Sequence, residues 1–181
     1  MRPRPVVALR LLAGAGVVAL GVLLGWHLTH QQDSVGPAVA KGKVVRAPKL
    51  DLPRLDGSGR LTLASLRGKA VVVNFWASDC VPCKQEMPRL ERYARRYAGR
   101  GVVFVGVDIL DFKAAARRFV ERYHATYPMV FDGVATLSAP WGVYNTPETF
   151  FVDRSGRIVD HVLGPVSAGD LDGGIARALA A

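Results

Sequence analysis

The chain has 181 residues, half of them apolar, with 24 Lys and Arg against 15 Asp and Glu and a formal charge of +9. That size suits one ordinary domain plus an extension, and the residue order excludes a repeat array or a low-complexity chain. The basic residues are spread along predicted helices (Arg89, Arg92, Arg95, Arg96; Arg117, Arg118, Arg122) without an aromatic-interleaved stripe. This argues against a nucleic-acid partner and reads first as a solvated basic face, with an anionic lipid surface as the second reading.

Arg2, Arg4 and Arg10 lie around the start of "LLAGAGVVALGVLLGWHL", which runs from Leu11 to Leu28; without them 21 basic residues face 15 acidic ones. Eighteen helical residues rise about 27 Å, close to the hydrocarbon thickness of a bilayer. No Lys or Arg follows until Lys41, so the positive-inside rule puts the N-terminus in the cytoplasm and the rest outside it. Residues 1–28 are therefore expected to be a cytoplasmic tip and a transmembrane anchor. A cleaved signal is the competitor, with Ala38-Val39-Ala40 as a small-x-small site that lies far beyond the apolar run. Residues 29–46, polar and holding Gly36, Pro37 and Gly42, read as a linker, and residues 47–181 as the folded domain.

"LDLPRLDGSGRLTLASLRGK" reads as a short edge hairpin, turned at Asp56–Gly59. Ala70–Trp76 is a continuous β-branched run and predicts a strand buried on both faces. A helix is expected from about Cys80 to Ala98, with Met87, Leu90, Ala94 and Tyr97 as its buried stripe, Pro88 as a kink and Gly99 and Gly101 as its end. Val102–Asp108 is the next buried strand, completing a parallel βαβ unit. Asp111 is placed to cap a second helix whose stripe is Phe112, Ala115, Ala116, Phe119 and Tyr123. "YPMVFD" follows, then "ETFFVDRSGRIVDHVLG", an antiparallel hairpin turned at Asp153–Gly156. "SAGDLDGGIARALA" predicts a last helix weakened by Gly173 and Gly174.

Both cysteines lie in "FWASDCVPCKQEMP", where the buried strand hands over to the helix. Structural zinc needs about four ligands, and besides Cys80 and Cys83 only His124 and His161 lie in the domain, outside any ligand-spaced cluster. A copper site of two cysteines and His161 is a second option. A Cys80–Cys83 bridge is a poor staple because it closes so short a loop. The redox reading explains more: Pro82 suits the first helical turn, and the unpaired N–H groups and dipole of a helix start favour thiolate. Cys80, nearer the loop, is then the attacking nucleophile and Cys83 the resolving thiol. Glu86, three residues on, shares the helix face of Cys83; it is either a surface residue or the carboxylate that takes the resolving thiol's proton. No cofactor is called for, because the two sulfurs carry the electrons.

These residues resemble the thioredoxin superfamily, and more closely its membrane-anchored TlpA/ResA/CcmG (DsbE) branch. "VVVNFWASDCVPCKQEMPRL" resembles that branch's strand, active site and first helix, "GVYNTPETFFVDRSGRI" its cis-proline loop and hairpin, and "LPRLDGSGRLTLASLRGK" its N-terminal extension. The fold implied is α/β and thioredoxin-like: βαβ plus ββα around a central mixed sheet, with an N-terminal β-hairpin extension and a transmembrane helix. The resemblance supports the roles of Cys80 and Cys83 and makes Glu86 functional. It implies a cis Thr146–Pro147 bond, and client contacts at Thr146, Pro147, Glu148 and Trp76. It further implies apocytochrome c as a client, a membrane electron donor of the CcdA/DsbD type, and a catalytic domain on the extracytoplasmic side of the cell membrane. Two departures stand out. Asp79 precedes the nucleophile, where it either opposes the thiolate or caps the helix. Asn74 stands where many thioredoxins carry a buried acid, which shifts proton handling to Glu86. The alternatives are an oxidant or isomerase for other exported clients, and a copper-delivery module on the same fold. A peroxidase would want Thr where Ala77 stands.

Overall fold

The structure is a computed structural model and describes residues 19–23, 25, 35–40 and 42–181. It divides into two units, Met1–Asp33 and Ser34–Ala181. In the first, residues 19–23 and 25 are helical and exposed, and most of the expected anchor lies outside the described residues. Among the described residues no helix is long and apolar enough to cross a membrane.

The second unit is ordered α1 (Val35–Ala40), β1 (Val45–Arg46), β2 (Asp51–Pro53), β3 (Arg60–Thr62), a 3-10 turn (Leu63–Leu66), β4 (Ala70–Trp76) and α2 (Val81–Tyr97). It continues with β5 (Val102–Ile109), α3 (Lys113–Tyr123), β6 (Met129–Asp132), α4 (Ser138–Trp141), β7 (Glu148–Val152), β8 (Arg157–Leu163) and α5 (Ala168–Ala180). Six strands form one mixed sheet in the order β1-β8-β7-β4-β5-β6. β4, β5 and β6 are parallel, whereas β7 pairs antiparallel with both β4 and β8. β4 is central and every one of its residues is buried, which is what an unbroken β-branched run is suited to.

Alternation along β4 divides the core. Ala70, Val72 and Trp76 point to a first face, packed with residues of α2, α3 and α5; Val71, Val73 and Phe75 point to a second face with α1, Trp141 of α4 and the leucines of the β2–β3 hairpin. Two successive right-handed crossovers between adjacent parallel strands put α2 and α3 on the same face. The hairpin is a separate two-stranded sheet, and among the described residues an Arg54–Val130 bridge links it to β6.

Three expectations change. The linker predicted through Arg46 ends earlier: α1 buries Val35 and Val39 in the core cluster that holds Trp141, and β1 pairs with β8. Six residues are too few to display a helical period, so no pattern announces α1. Asp111 does not cap α3, whose N-cap is Phe112 without a side-chain bond, and Phe112 is exposed rather than part of the buried stripe. Gly174 is a fit, not a flaw: a Cβ there would lie 2.6 Å from ring atoms of Phe151. The helix around it is secured by a capping box between Ser167 and Asp170.

Candidate active site

β4, β5 and β6 end at one edge of the sheet, and β7 begins there. The chain leaves β4 at Trp76, turns through Ala77–Cys80 and enters α2. Cys80 is the N-cap of α2, and its sulfur accepts the amide of Cys83 at 3.2 Å. Cap geometry thus aims a helix-terminal N–H at the sulfur that needs its charge stabilised. Asp79 does not cap the helix; it is exposed beside it. Pro82 lies in the first turn, where a missing N–H costs nothing. Cys80 and Cys83 form a disulfide with Cα atoms 5.3 Å apart. Cys80 is half-buried, while Cys83 is 0 % exposed, so only the first sulfur is reachable by a macromolecule.

One turn further on, Glu86 is 1 % exposed. Its Oε1 accepts Asn74 Nδ2 at 2.8 Å, and its Oε2 accepts the amide of Val166 at 2.7 Å. Asn74 is held in turn by donating to Thr149 Oγ1 at 3.0 Å. The acid thus comes from the helix and the amide from the strand. Burial pushes Glu86 up to about 7, against the two donors and the charge of Arg89, which favour the carboxylate. A carboxyl poised near neutrality on the face of Cys83 is suited to moving that thiol's proton.

Under the same loop lies a second buried acid. Asp108, last but one in β5, pairs in register with Trp76 and is 0 % exposed. Neither of its oxygens meets a hydrogen-bond donor among the described residues. Burial first, then the charge of Asp111 and the proton that Asp108 can share with it, then the charges of Asp132 and Asp79, raise it to about 9, so it is a neutral acid at pH 7. Asp111 does not cap a helix but fastens two loops: it accepts the amides of Ser78 at 2.7 Å and Phe112 at 2.6 Å. Sequence reasoning gave Asp108 no role; the available signal was a carboxylate ending an otherwise apolar parallel strand.

Across β4, the Thr146–Pro147 bond is cis. The register Phe75–Glu148 sets this bond beside the end of β4. Thr146 is half-exposed and Pro147 buried.

A model of the AhpC/TSA family matches residues 45–161. The chain belongs to that family. The thiol:disulfide interchange protein DsbE of Pseudomonas fluorescens biotype C is 38 % identical over 120 residues, covering 66 % of this chain and 65 % of that protein. The thiol-disulfide oxidoreductase ResA of Bacillus thuringiensis (strain Al Hakam) is 27 % identical over 168 residues, 93 % of this chain and 91 % of that one. A solved thioredoxin-family thiol:disulfide interchange protein from Chlorobium tepidum TLS superposes with a TM-score of 0.67 at 28 % identity, covering 75 % of this chain and 97 % of that one. This AhpC/TSA-family chain is accordingly a thiol–disulfide oxidoreductase of the DsbE/ResA type in a thioredoxin-like fold, and its partners are proteins carrying thiols or disulfides.

In this family member two of the expected client contacts are internal. Trp76 is 0 % exposed and stacks on Phe119 with ring centroids 4.6 Å apart, because alternation from Val72 turns it beneath α3. Glu148 is 2 % exposed and lies on the second face. Its Oε1 accepts the amides of Tyr144 at 3.0 Å and Asn145 at 3.3 Å, and its Oε2 meets His161 Nε2 at 3.0 Å. Glu148 thus braces the cis-proline loop from behind and does not face a client. His161 stacks on Phe150 at 4.1 Å and is engaged by Glu148, away from the Cys83 face, which removes it as a third copper ligand. Among the described residues no group of three or more His, Cys, Asp or Glu is arranged to hold a metal ion.

Proposed function

We propose that the chain is a membrane-tethered, extracytoplasmic reductase of disulfides in selected client proteins, with apocytochrome c as the client class. Residues 1–28 serve as the anchor and the catalytic domain works on the outer side. The observation that carries the reading is the pairing of a reachable Cys80 with a fully buried Cys83 one turn before a buried carboxyl.

A membrane dithiol of the CcdA/DsbD type supplies two electrons and two protons, opening the Cys80–Cys83 bond and becoming a disulfide itself. The Cys80 thiolate then attacks a client disulfide. A bond forms between Cys80 and one client sulfur, and the client's own S–S bond breaks, releasing a thiolate that takes up a proton. The Glu86 carboxylate takes the proton of Cys83, whose thiolate attacks the Cys80 sulfur. The Cys80–Cys83 bond re-forms and the second client thiol leaves with a proton. Thr146 and the backbone beside Pro147 receive the extended client segment by strand addition. Val81 at the start of α2, with Leu110, Phe112 and Tyr144 on loops, all exposed at this edge, suit a polypeptide client. Asp79 beside Cys80 disfavours its thiolate, and an oxidoreductase whose reduced form is not stabilised is the weaker oxidant. That favours reduction over the alternative, oxidation or isomerisation of other exported clients.

The test is Cys83→Ser in the native membrane, with mixed disulfides identified by mass spectrometry. Adducts joining Cys80 to a haem-attachment cysteine are the expected result. No adduct, together with no exchange on a model disulfide, would overturn the reading.

A further inference from the structure

The basic residues that look scattered in sequence are gathered by the fold. α2, Arg100 and α3 together hold ten Lys and Arg against three Asp and Glu, whereas the rest of residues 34–181 holds eleven of each. The domain's whole formal excess therefore sits on two neighbouring helices, α2 and α3, with Arg100 between them. α2 and α3 share the first face of the sheet, and they are tied where Glu91 of α2 accepts the amide and hydroxyl of Thr126, just past the end of α3.

The buried stripes set which way this charge points. Met87, Leu90 and Glu91 face inward on α2, as do Ala116 and Phe119 on α3. Arg92, Arg96, Arg118 and Arg122 consequently face outward, and all four are exposed. Among the described residues none of the four has a carboxylate partner, unlike Arg95, which pairs with Glu91. Arg96 lies 5.9 Å from the ring centroids of both Tyr93 and Tyr97, so one guanidinium covers two phenol rings. Of the three acids on α2 and α3, Glu86 and Glu91 are buried and only Glu121 is exposed, while α5, the third helix of this face, brings the exposed Asp172 beside Tyr93.

We propose that the outer surface of α2 and α3 is a docking surface for anionic lipid headgroups, which lays the domain on a membrane by this layer. Charge complementarity selects this occupant. The positive charge is spread over two adjacent helices and is not gathered in a groove that a peptide would fill, and tyrosines beneath arginines suit the headgroup region. Each exposed Lys or Arg near an anionic surface adds to the attraction, and the effect decays within a Debye length. The disulfide stands at the N-terminal end of α2, at the sheet edge, so docking by the helix layer leaves Cys80 open along the membrane plane. The proposal takes its setting from the tethered reading but is tested apart from it.

The test uses residues 34–181, which contain both core clusters and the whole sheet and so fold without the N-terminal unit. Binding is measured by co-sedimentation with phosphatidylcholine vesicles, with and without about 30 mol % phosphatidylglycerol, at about 0.05 M and about 0.5 M salt. The expected result is at least about tenfold stronger partition onto the anionic vesicles, lost at high salt. Arg92→Glu, Arg96→Glu, Arg118→Glu and Arg122→Glu combined abolish it, and the corresponding Lys changes retain it. Reduction of a soluble peptide disulfide stays at the parent rate in both, which separates this surface from the redox site. Reversal of Arg46, Arg67, Lys69 and Arg154, at the opposite edge of the sheet, leaves partition within about twofold of the parent. Equal partition onto neutral vesicles, no partition at all, binding only to an acidic protein, or equal loss from both charge-reversal sets would overturn the proposal.

Discussion

Glu86 and Asp108 are both buried carboxyls on the same face of the sheet, and their surroundings differ in hydrogen-bond donors and in the sign of the neighbouring charge. Glu86 accepts a side-chain amide and a backbone amide, and Arg89 stands near it; burial still pushes it up, but only to about 7. Asp108 accepts nothing and faces three other aspartates, and it is driven to about 9. Hydrogen-bond donors and the neighbouring charge, more than depth, decide which buried acid changes charge within the physiological range. The supplied acid can cycle a proton at Cys83. The unsupplied one stays neutral and keeps a further negative charge away from Cys80.

The largest expected effect breaks the Glu86 half of the comparison. Glu86→Gln lowers the rate at which Cys83 resolves a mixed disulfide by roughly a hundredfold at pH 8. It also removes the inflection near pH 7, which stopped-flow measurement across pH 5.5–9 would detect. An unchanged profile would make Glu86 a packing residue.

The next effect concerns Asp108 and is read in stability. Its folded pKa is raised, so the stability it provides is full below about pH 4 and is lost as pH rises through about 9. Asp108→Asn removes that loss. Between pH 6 and pH 8 the oxidised parent should lose roughly 2 to 3 kcal/mol more unfolding free energy than the variant. Urea titrations at the two pH values measure it; parallel declines would refute a neutral Asp108.

Asn74→Ala makes Glu86 resemble Asp108 by taking away one donor. The inflection in resolution should move alkaline by about one pH unit while the rate at high pH is kept. Asp79→Asn is the smallest change: it removes a screened, exposed charge, and reduced Cys80 should be alkylated slightly faster at pH 7. Slower alkylation would contradict the sign assigned to Asp79.

Much of the fold was legible because its signals are local. Ala70–Trp76 is a strand with the expected bounds, and α2, β5 and the β7–β8 hairpin lie where periodicity and turn residues put them. The cysteine pair and its place at the helix start followed from position on one helix, whereas spacing left Glu86 open between a surface residue and a proton acceptor, and only the resemblance favoured the second. Information that depends on pairing register was hidden. Which face Trp76 and Glu148 occupy is set by alternation against neighbouring strands, so two exposed client contacts became a core ring and a loop brace. Asp111 looked like a cap because its partner, the Ser78 amide, is distant in sequence. Gly174 read as weakness because Phe151 lies on another element. The basic layer is invisible until two crossovers set α2 and α3 side by side.

The most direct test of a reachable attacking sulfur backed by a buried resolving one is adduct formation with a single peptide disulfide. Reduced Cys83→Ser and Cys80→Ser variants would be followed side by side by intact-protein mass. A lasting adduct on Cys80 in the first, and none on Cys83 in the second over the same interval, is the expected outcome. Adducts at equal rates in both, or only on Cys83, would contradict the assignment.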